Sequence, residues 1–488
     1  LHKEPKPLPP DVPAEIAKIT NKCLQKDAGE RYQTIKDVLM DLKDVKQDFE
    51  FQDKLKRSIL PNDDANETQI LQAATLDETN QTTTNQTAAR NPKTKYLAVG
   101  LLTLLLAVGG FFGYRYFTAS KQIESIAVMP FANESGNADV EYLSDGMTET
   151  LIKSLSQIPN LTVKPRSSVF RYKGKDTDLQ TIAGELNVQA ILNGRVVQRG
   201  EQLTLSLELV DVQKDSVIWA EQYQRKTSDL VSLQSEIAKD VSSNLKTKLS
   251  GADEAKVTKT STTNTEAYQA YLKGRFHWNK RTTEDFQKAR DYFQQAIAAD
   301  PNYALANTGL ADTLALMPYY GNFRPSEYMP LAKQAAQKAL ELDPNLAEAH
   351  ASLGQILFAY DYDFKGAERE LKRAIELDPK YPSAYQWLSE NYTFLGNYDQ
   401  ALSEVNKGLE LDPLSMSINN QKGNVLRFSG KQDEAIAQYK KTVELFPDAL
   451  FARGNLASIY EAKGMYSEAV EQRQIVAKLA GISPDEIK

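Results

Sequence analysis

Asp145 and Glu149 stand one helical turn apart in EYLSDGMTETLIKSL, a spacing at which two carboxylates share a helix face and could divide general acid and base work. An exposed acidic start to a helix explains the pair equally and is the commoner arrangement, because negative charge near a helix N-terminus is favourable. Nucleophilic catalysis lacks a base here, since residues 118–276 contain no histidine. Gly174 and Lys175 faintly suggest phosphate binding but lack the spacing and terminal Ser/Thr of a phosphate loop. His2, His277 and His350 are scattered without metal-ligand spacing. The single cysteine, Cys23, excludes both a disulfide framework and a cysteine-ligated zinc. The chain contains no GxGxxG, HRD or DFG, so it is expected neither to bind ATP usefully nor to transfer phosphate. A net charge of −7 gives no basic footprint, and nucleic acid is not an expected partner. No catalytic residue, metal or cofactor is assigned to the chain itself.

Residues 96–114, YLAVGLLTLLLAVGGFFGY, form an uncharged run of nineteen. At 1.5 Å per residue such a helix matches a hydrocarbon core of roughly 30 Å, so a single transmembrane helix is expected over residues 96–117. Arg90, Lys93 and Lys95 before it outnumber Arg115 and Lys121 after it, which places residues 1–95 in the cytoplasm and 121–488 outside. Gly109 and Gly113 could let two such helices approach closely, a route to a homodimer. Residues 51–95 are rich in Asn, Gln, Thr, Asp and Glu and are expected to be a disordered juxtamembrane linker.

Before the linker, Ile16, Ile19, Cys23 and Leu24 make one apolar stripe, and Thr34 with Asp37 resembles a capping box. Two short helices cannot bury both stripes unaided. The segment DVPAEIAKITNKCLQKDAGERYQTIKDVLMDL resembles the last two helices of a bacterial serine/threonine protein kinase domain, over about residues 4–46. The resemblance implies that residues 1–50 are the truncated, all-α end of a kinase C-lobe. It gives Arg31 the role of a structural arginine whose ion-pair partner is absent from the chain, and it leaves ATP and Mg to the intact parent kinase.

After the membrane run, residues 125–131 (SIAVMPF) read as a short buried strand, followed by a helical stripe of Met147, Leu151 and Leu155. LTVKPRS offers a strand and DLQTIAGELN a helix, and three further strands alternate, with Leu203, Leu205, Leu207 and Leu209 on one face. A closing helix is expected over residues 230–249. The order indicates an α/β sandwich with a mixed sheet over residues 123–250. This stretch resembles the TolB-amino-terminal-like domain, carried by IAVMPF, EYLSDGMTETLIKSL, YKGKDTDLQTIAGELNVQAILNGRV and IWAEQY. That family sits between a membrane helix and a repeat array, behind kinase, nucleotide cyclase or DNA-binding outputs, and the resemblance implies a sensory or coupling role without a reaction.

From Tyr268 the chain repeats, punctuated by Asp300-Pro301, Asp343-Pro344, Asp378-Pro379, Asp412-Pro413 and Phe446-Pro447, the last two intervals being 34 residues. This period, with small residues at Ala367, Ala374, Ala401, Gly408, Ala435 and Thr442, resembles tetratricopeptide repeats, about six over residues 265–480. Phe293, Leu371, Val405 and Tyr439 should fill one core position, and Leu353, Leu388 and Leu456 another. The longer first interval is expected to place an inserted loop around residues 317–330, where Pro and Gly break the helix. Stacking of the repeats should create a concave groove lined by Gln386, Glu390, Thr393, Asn420, Asn424, Arg427, Ser458 and Glu461, polar side chains suited to an extended peptide. On that view Asn424→Ala with Arg427→Ala should weaken partner capture and leave the fold intact.

The expectation is a multidomain membrane-anchored signalling scaffold, the regulatory and extracytoplasmic portion of a receptor-type kinase, whose repeats bind protein partners. A periplasmic assembly scaffold for envelope or secretion machinery is the alternative. A hydrolase hidden in the α/β domain ranks last.

Overall fold

The computed structural model describes residues 19, 20, 22, 23, 123–245 and 250–480. The chain divides into two compact units, residues 1–103 and 104–488. In the first, Ile19, Thr20, Lys22 and Cys23 are helical; Ile19 is buried, but Cys23 is exposed and so is not part of the expected apolar stripe. Arg31, the Thr34–Asp37 box, the linker and the expected transmembrane helix with Gly109 and Gly113 all lie outside the described residues. Among the described residues no helix is long and apolar enough to cross a membrane.

The second unit begins with a mixed sheet. Its strands are β1 (Ser125–Val128), β2 (Ala132–Asn133), β3 (Thr162–Val163), β4 (Ala190–Arg199), β5 (Gln202–Asp211) and β6 (Ser216–Lys226). They run in the order β3-β1-β4-β5-β6, with β2 also on β4. Pairing is parallel among β1, β2, β3 and β4, and antiparallel from β4 to β6. The expected strand at 125–131 is split: β1 ends before Met129 and Pro130, whose ring nitrogen cannot donate to a ladder, and β2 resumes on the same edge of β4. LTVKPRS yields only the two residues of β3, because Pro165 then opens a helix, α2 (Arg166–Phe170), that the sequence pattern did not indicate.

Helices α1 (Glu141–Ser156) and α4 (Leu230–Asn244) cover one face of the sheet and α2 with α3 (Leu179–Leu186) the other. Leu203, Leu205, Leu207 and Leu209 are all buried against Met147, Leu151, Leu155, Leu233 and Ile237, as period-2 alternation requires. A short helix, α5 (Gly251–Val257), follows with a Ser250–Asp253 capping box.

Twelve helices then form six antiparallel pairs: α6 (Thr265–Lys280) and α7 (Thr283–Ala299), α8 (Ala304–Tyr320) and α9 (Pro325–Leu342), α10 (Ala347–Ile356) and α11 (Phe364–Leu377), α12 (Pro382–Phe394) and α13 (Tyr398–Leu411), α14 (Met416–Phe428) and α15 (Gln432–Leu445), α16 (Leu450–Ala462) and α17 (Tyr466–Leu479). Each Asp-Pro ends a second helix for a local reason. A residue before proline is pushed out of the helical region, and Asp300, Asp343, Asp378 and Asp412 are extended, with φ between −136° and −139°.

Phe293, Leu371, Val405 and Tyr439 are fully buried and Leu388 and Leu456 nearly so, whereas Leu353 is half-buried. The Phe293 ring lies so close to Gly274 and Gly309 that any Cβ there would sit under 3 Å from it, which fixes glycine at both crossings. The inserted loop expected at residues 317–330 is not a loop. α8 and α9 lengthen to 17 and 18 residues, against 13 and 14 for α14 and α15, and only residues 321–324 connect them. Pro318 falls in the last turn of α8 and Pro325 at the first position of α9, where a missing N–H is tolerated. The third repeat instead carries an irregularity, a π turn at Leu357–Asp361.

Candidate functional site

The first helices of successive repeats, α8, α10, α12, α14 and α16, pack side by side and form one wall of the array. The sequence places eight polar residues there, and the structure bonds Gln386 directly to Glu390 and most of the rest to other side chains of the array. Gln386 donates to Glu390 Oε1 (3.0 Å) and accepts from the Ser417 hydroxyl (2.7 Å). Glu390 also accepts from Gln355 Nε2 at 3.4 Å. Thr393 is buried, its hydroxyl donating to the Ser389 carbonyl (2.6 Å) and accepting from Gln421 Nε2 (3.1 Å). Asn455 donates to Asn420 Oδ1 (3.2 Å) and to Asn424 Oδ1 (3.0 Å), and Asn424 Oδ1 also accepts from the Tyr439 hydroxyl at 2.7 Å. Ser458 and Glu461 turn to Arg473 of α17, at 3.3 Å and 3.2 Å. The Arg427 guanidinium lies 5.7 Å from the Phe428 ring centroid.

Of the eight, Glu390, Thr393 and Asn424 meet around one cavity of about 400 Å³, shared with Phe358, Phe394, Tyr398, Gln421 and Phe428. Gln421 and Asn455, 34 residues or one repeat period apart, are two further groove residues that the repeat register marks. The expectation that Asn424→Ala leaves the fold intact is corrected, because the Tyr439 side chain is fully buried and would lose the acceptor of its hydroxyl. An unsatisfied buried donor costs about 1–3 kcal/mol, so Asn424→Ala alone should lower the urea midpoint, and adding Tyr439→Phe should recover part of the loss.

The other part of this wall is covered by the chain's own α/β domain. α1 crosses α6, with Gly146 close against Leu272, and Tyr268 and Leu272 join the apolar core beneath the sheet. Asp145 and Glu149 are therefore not an exposed acidic face. Asp145 is buried and paired with Lys173. Glu149 receives Arg275 through Nε and Nη2 (2.8 and 2.6 Å) and Asn279 Nδ2 (2.9 Å), with Arg166 Nε at 3.3 Å. Burial pushes the Glu149 carboxyl up, but Arg275 and Arg166 outweigh it and hold the group below its ordinary range. Both carboxylates are thus engaged by cations of the fold, and burial pushes the Asp145 carboxyl up despite Lys173.

Further contacts extend the docking along the array. Lys153 pairs with Glu348, Ser167 donates to Asp412, and Lys259 meets Asp343 at 3.0 Å. Lys380 Nζ donates to the carbonyls of Ser156, Ile158 and Leu161 at 2.9, 3.0 and 3.1 Å. A cation at the negative end of α1 satisfies carbonyls the helix leaves open. A cavity of about 540 Å³ remains inside this contact, lined by Glu149, Arg166, Arg275, Asp312, Glu348 and Lys380 among others.

In that cavity burial pushes the Asp312 carboxyl up to about 6, opposed by the Ser352 hydroxyl and by Arg275 and Arg281. A carboxyl raised on folding binds more protons native than unfolded between about pH 4 and 6, so its contribution falls as pH rises through that window and stays unfavourable above it. Asp312→Asn should remove this slope. Relative to the parent, the variant should gain about 1–3 kcal/mol between pH 4 and pH 7 in paired denaturation curves.

Residues 121–240 match the family described as HilA/YgeH-like transcriptional regulator, second domain. Tetratricopeptide repeat families match residues 279–316, 360–416 and 420–478. The array is a tetratricopeptide-repeat scaffold, the class that holds other proteins. A curated relative, "Putative adenylate cyclase 3" of Rhizobium meliloti (strain 1021), is 30% identical over 187 residues, which are 38% of this chain and 32% of that protein. The chain thus spans about a third of the length of the curated relative it matches. Among solved structures, the Thermus thermophilus repeat protein TTC0263 is 21% identical, with 40% of this chain and 98% of that one covered and a TM-score of 0.34. YrrB, described as a repeat protein with an unusual peptide-binding site, is 22% identical over 38% of this chain and 91% of its own, with a TM-score of 0.27.

Proposed function

We propose that the chain is the regulatory and extracytoplasmic portion of a receptor-type serine/threonine kinase, in which the repeats hold a partner protein and the α/β domain couples that event to the membrane. The observation that carries this reading is the α/β domain seated by α1, Lys380 and the Glu149–Arg275 pair on part of the repeat wall, with the cavity at Glu390 left open. An input of this kind does no chemistry of its own; it needs a binding surface firmly joined to the element that enters the membrane. The kinase-like residues 4–46 supply the output, and the apolar run at 96–114 supplies the crossing. Matches of the α/β region to a transcriptional-regulator family, and of the chain to a relative named as an adenylate cyclase, support an input unit attached to different outputs. The TolB-like resemblance of the same region supports it too.

The test is topology. With Cys23 replaced, single cysteines at Ser58 and at the exposed Ser261 are probed in intact cells with a membrane-impermeant thiol reagent. Labelling at Ser261 with Ser58 protected is expected; the reverse pattern would overturn the receptor reading.

A further inference from the structure

The cavity at Glu390 has a composition that hydrogen bonding to peptide backbone does not require. Its rim is aromatic: Phe358, Phe394, Tyr398 and Phe428 line it, and no Lys or Arg does. Phenylalanines are costly to leave in water, yet Phe394 and Phe428 are 67% and 59% exposed. Phe394 is held in place by its neighbours, edge-on to Phe358 at 5.8 Å and stacked on Phe364 at 5.2 Å. Phe394 is thus a fixed, largely exposed ring of the wall, and Phe428 already lies 5.7 Å from a guanidinium, that of Arg427.

At the floor lies the Glu390 carboxylate. Its hydrogen bonds come from two neutral amides, Gln386 and Gln355, and among the described residues no cation pairs with it. The contrast with Glu149 is plain, since that carboxylate meets two guanidiniums. Burial pushes the Glu390 carboxyl up, the direction expected of a charge without a counter-ion. Gln355 Oε1 beside it is a buried acceptor without a partner among the described residues.

Ring faces carry negative charge density and attract cations within about 6 Å, and a desolvated carboxylate does so more strongly. An apolar side chain would cover the rings and leave the carboxylate stranded, and an anion would be repelled. A planar guanidinium satisfies both, stacking on a ring while its N–H groups reach the Glu390 carboxylate. Resting on the partner-binding reading above, we propose that this pocket takes the guanidinium of an arginine presented by an extended segment of the partner protein. Asn424 lines the same cavity, and the acidic chain, net −7, favours a basic partner.

The experiment titrates acetylated, amidated pentapeptides, Gly-Ser-Xaa-Ser-Gly with Xaa arginine, lysine, citrulline or leucine, and free N-methylguanidinium, into the purified chain by calorimetry. The arginine peptide should bind at least about tenfold tighter than the isosteric but neutral citrulline peptide. Glu390→Gln should erase that preference, and Phe428→Ala, at an exposed position, should weaken arginine binding with an unchanged melting curve. Equal binding of the arginine and citrulline peptides, or an unchanged preference in Glu390→Gln, would overturn the arginine assignment while leaving a peptide groove in place. N-methylguanidinium binding as tightly as the arginine peptide would reassign the pocket to a free cation. Binding of none of these probes would count against the arginine pocket; a peptide array of mixed sequence then separates the two readings, because capture of arginine-free peptides preserves partner binding and capture of none removes it.

Discussion

Arg275→Ala is expected to loosen the α/β domain from the repeats and to lower the unfolding free energy by about 2–4 kcal/mol. The loss exceeds that of a surface ion pair because Glu149 would keep its half-buried position with only Arg166 and Asn279 facing it. Stranding one charge is worse than removing both. Glu149→Leu with Arg275→Met should therefore recover much of the loss that Arg275→Ala alone inflicts. Hydrogen exchange locates the effect, since amides of α1 and α6 should exchange faster in Arg275→Ala while those of α16 and α17 keep their protection. Uniform acceleration across all helices would mean that the pair supports global stability and not docking.

Leu388→Ala should cost about 2–5 kcal/mol. Leu388 is 2% exposed and shares a core with Leu371, Tyr392, Val405, Ile418 and Val425, so its truncation opens a cavity bounded by several helices that cannot all collapse into it. Repeat arrays couple each repeat to its neighbours, and weakening the fourth should separate the unfolding of the two flanks. Urea titration followed by tryptophan fluorescence, with Trp219 and Trp278 replaced by Phe so that Trp387 alone reports, should then show a lower midpoint and a shallower slope. A drop under about 1 kcal/mol would show that the repeat interior tolerates the gap.

Periodic features of this fold are legible in the sequence because they are local. Alternation at Leu203 to Leu209 marks β5, and the Asp-Pro steps mark the ends of second helices through backbone sterics alone. Features set by distant partners are not. Nothing near Glu149 announces Arg275, 126 residues away, and the helix-start rule therefore assigned it to solvent. The proline-rich residues 317–330 look like a loop because each proline argues locally for a break, yet Pro325 falls at the first helical position, where an N–H can be spared, Pro318 lies so near the C-terminal end of α8 that little helix remains to be broken, and Pro330 is carried inside α9. In the groove, repeat spacing located Glu390, Thr393 and Asn424 on the wall but could not tell a side chain free to bind from one already bonded across repeats, as Asn424 is to Tyr439 and Asn455.

If one part of the repeat wall holds the chain's own α/β domain while another holds a partner, the two parts must differ in what they touch in the cell. Photocrosslinking from a benzophenone-bearing phenylalanine analogue, placed at Phe428 or at Tyr381 in the full chain in cells, tests this directly. Tyr381 lines the cavity between the α/β domain and the repeats and Phe428 the open one. Position 381 is expected to yield adducts within the chain, to the α/β domain, and position 428 adducts to a second polypeptide, lost when the arginine pentapeptide is added in excess. Adducts from position 381 to another protein, with none from position 428, would contradict this division of the wall.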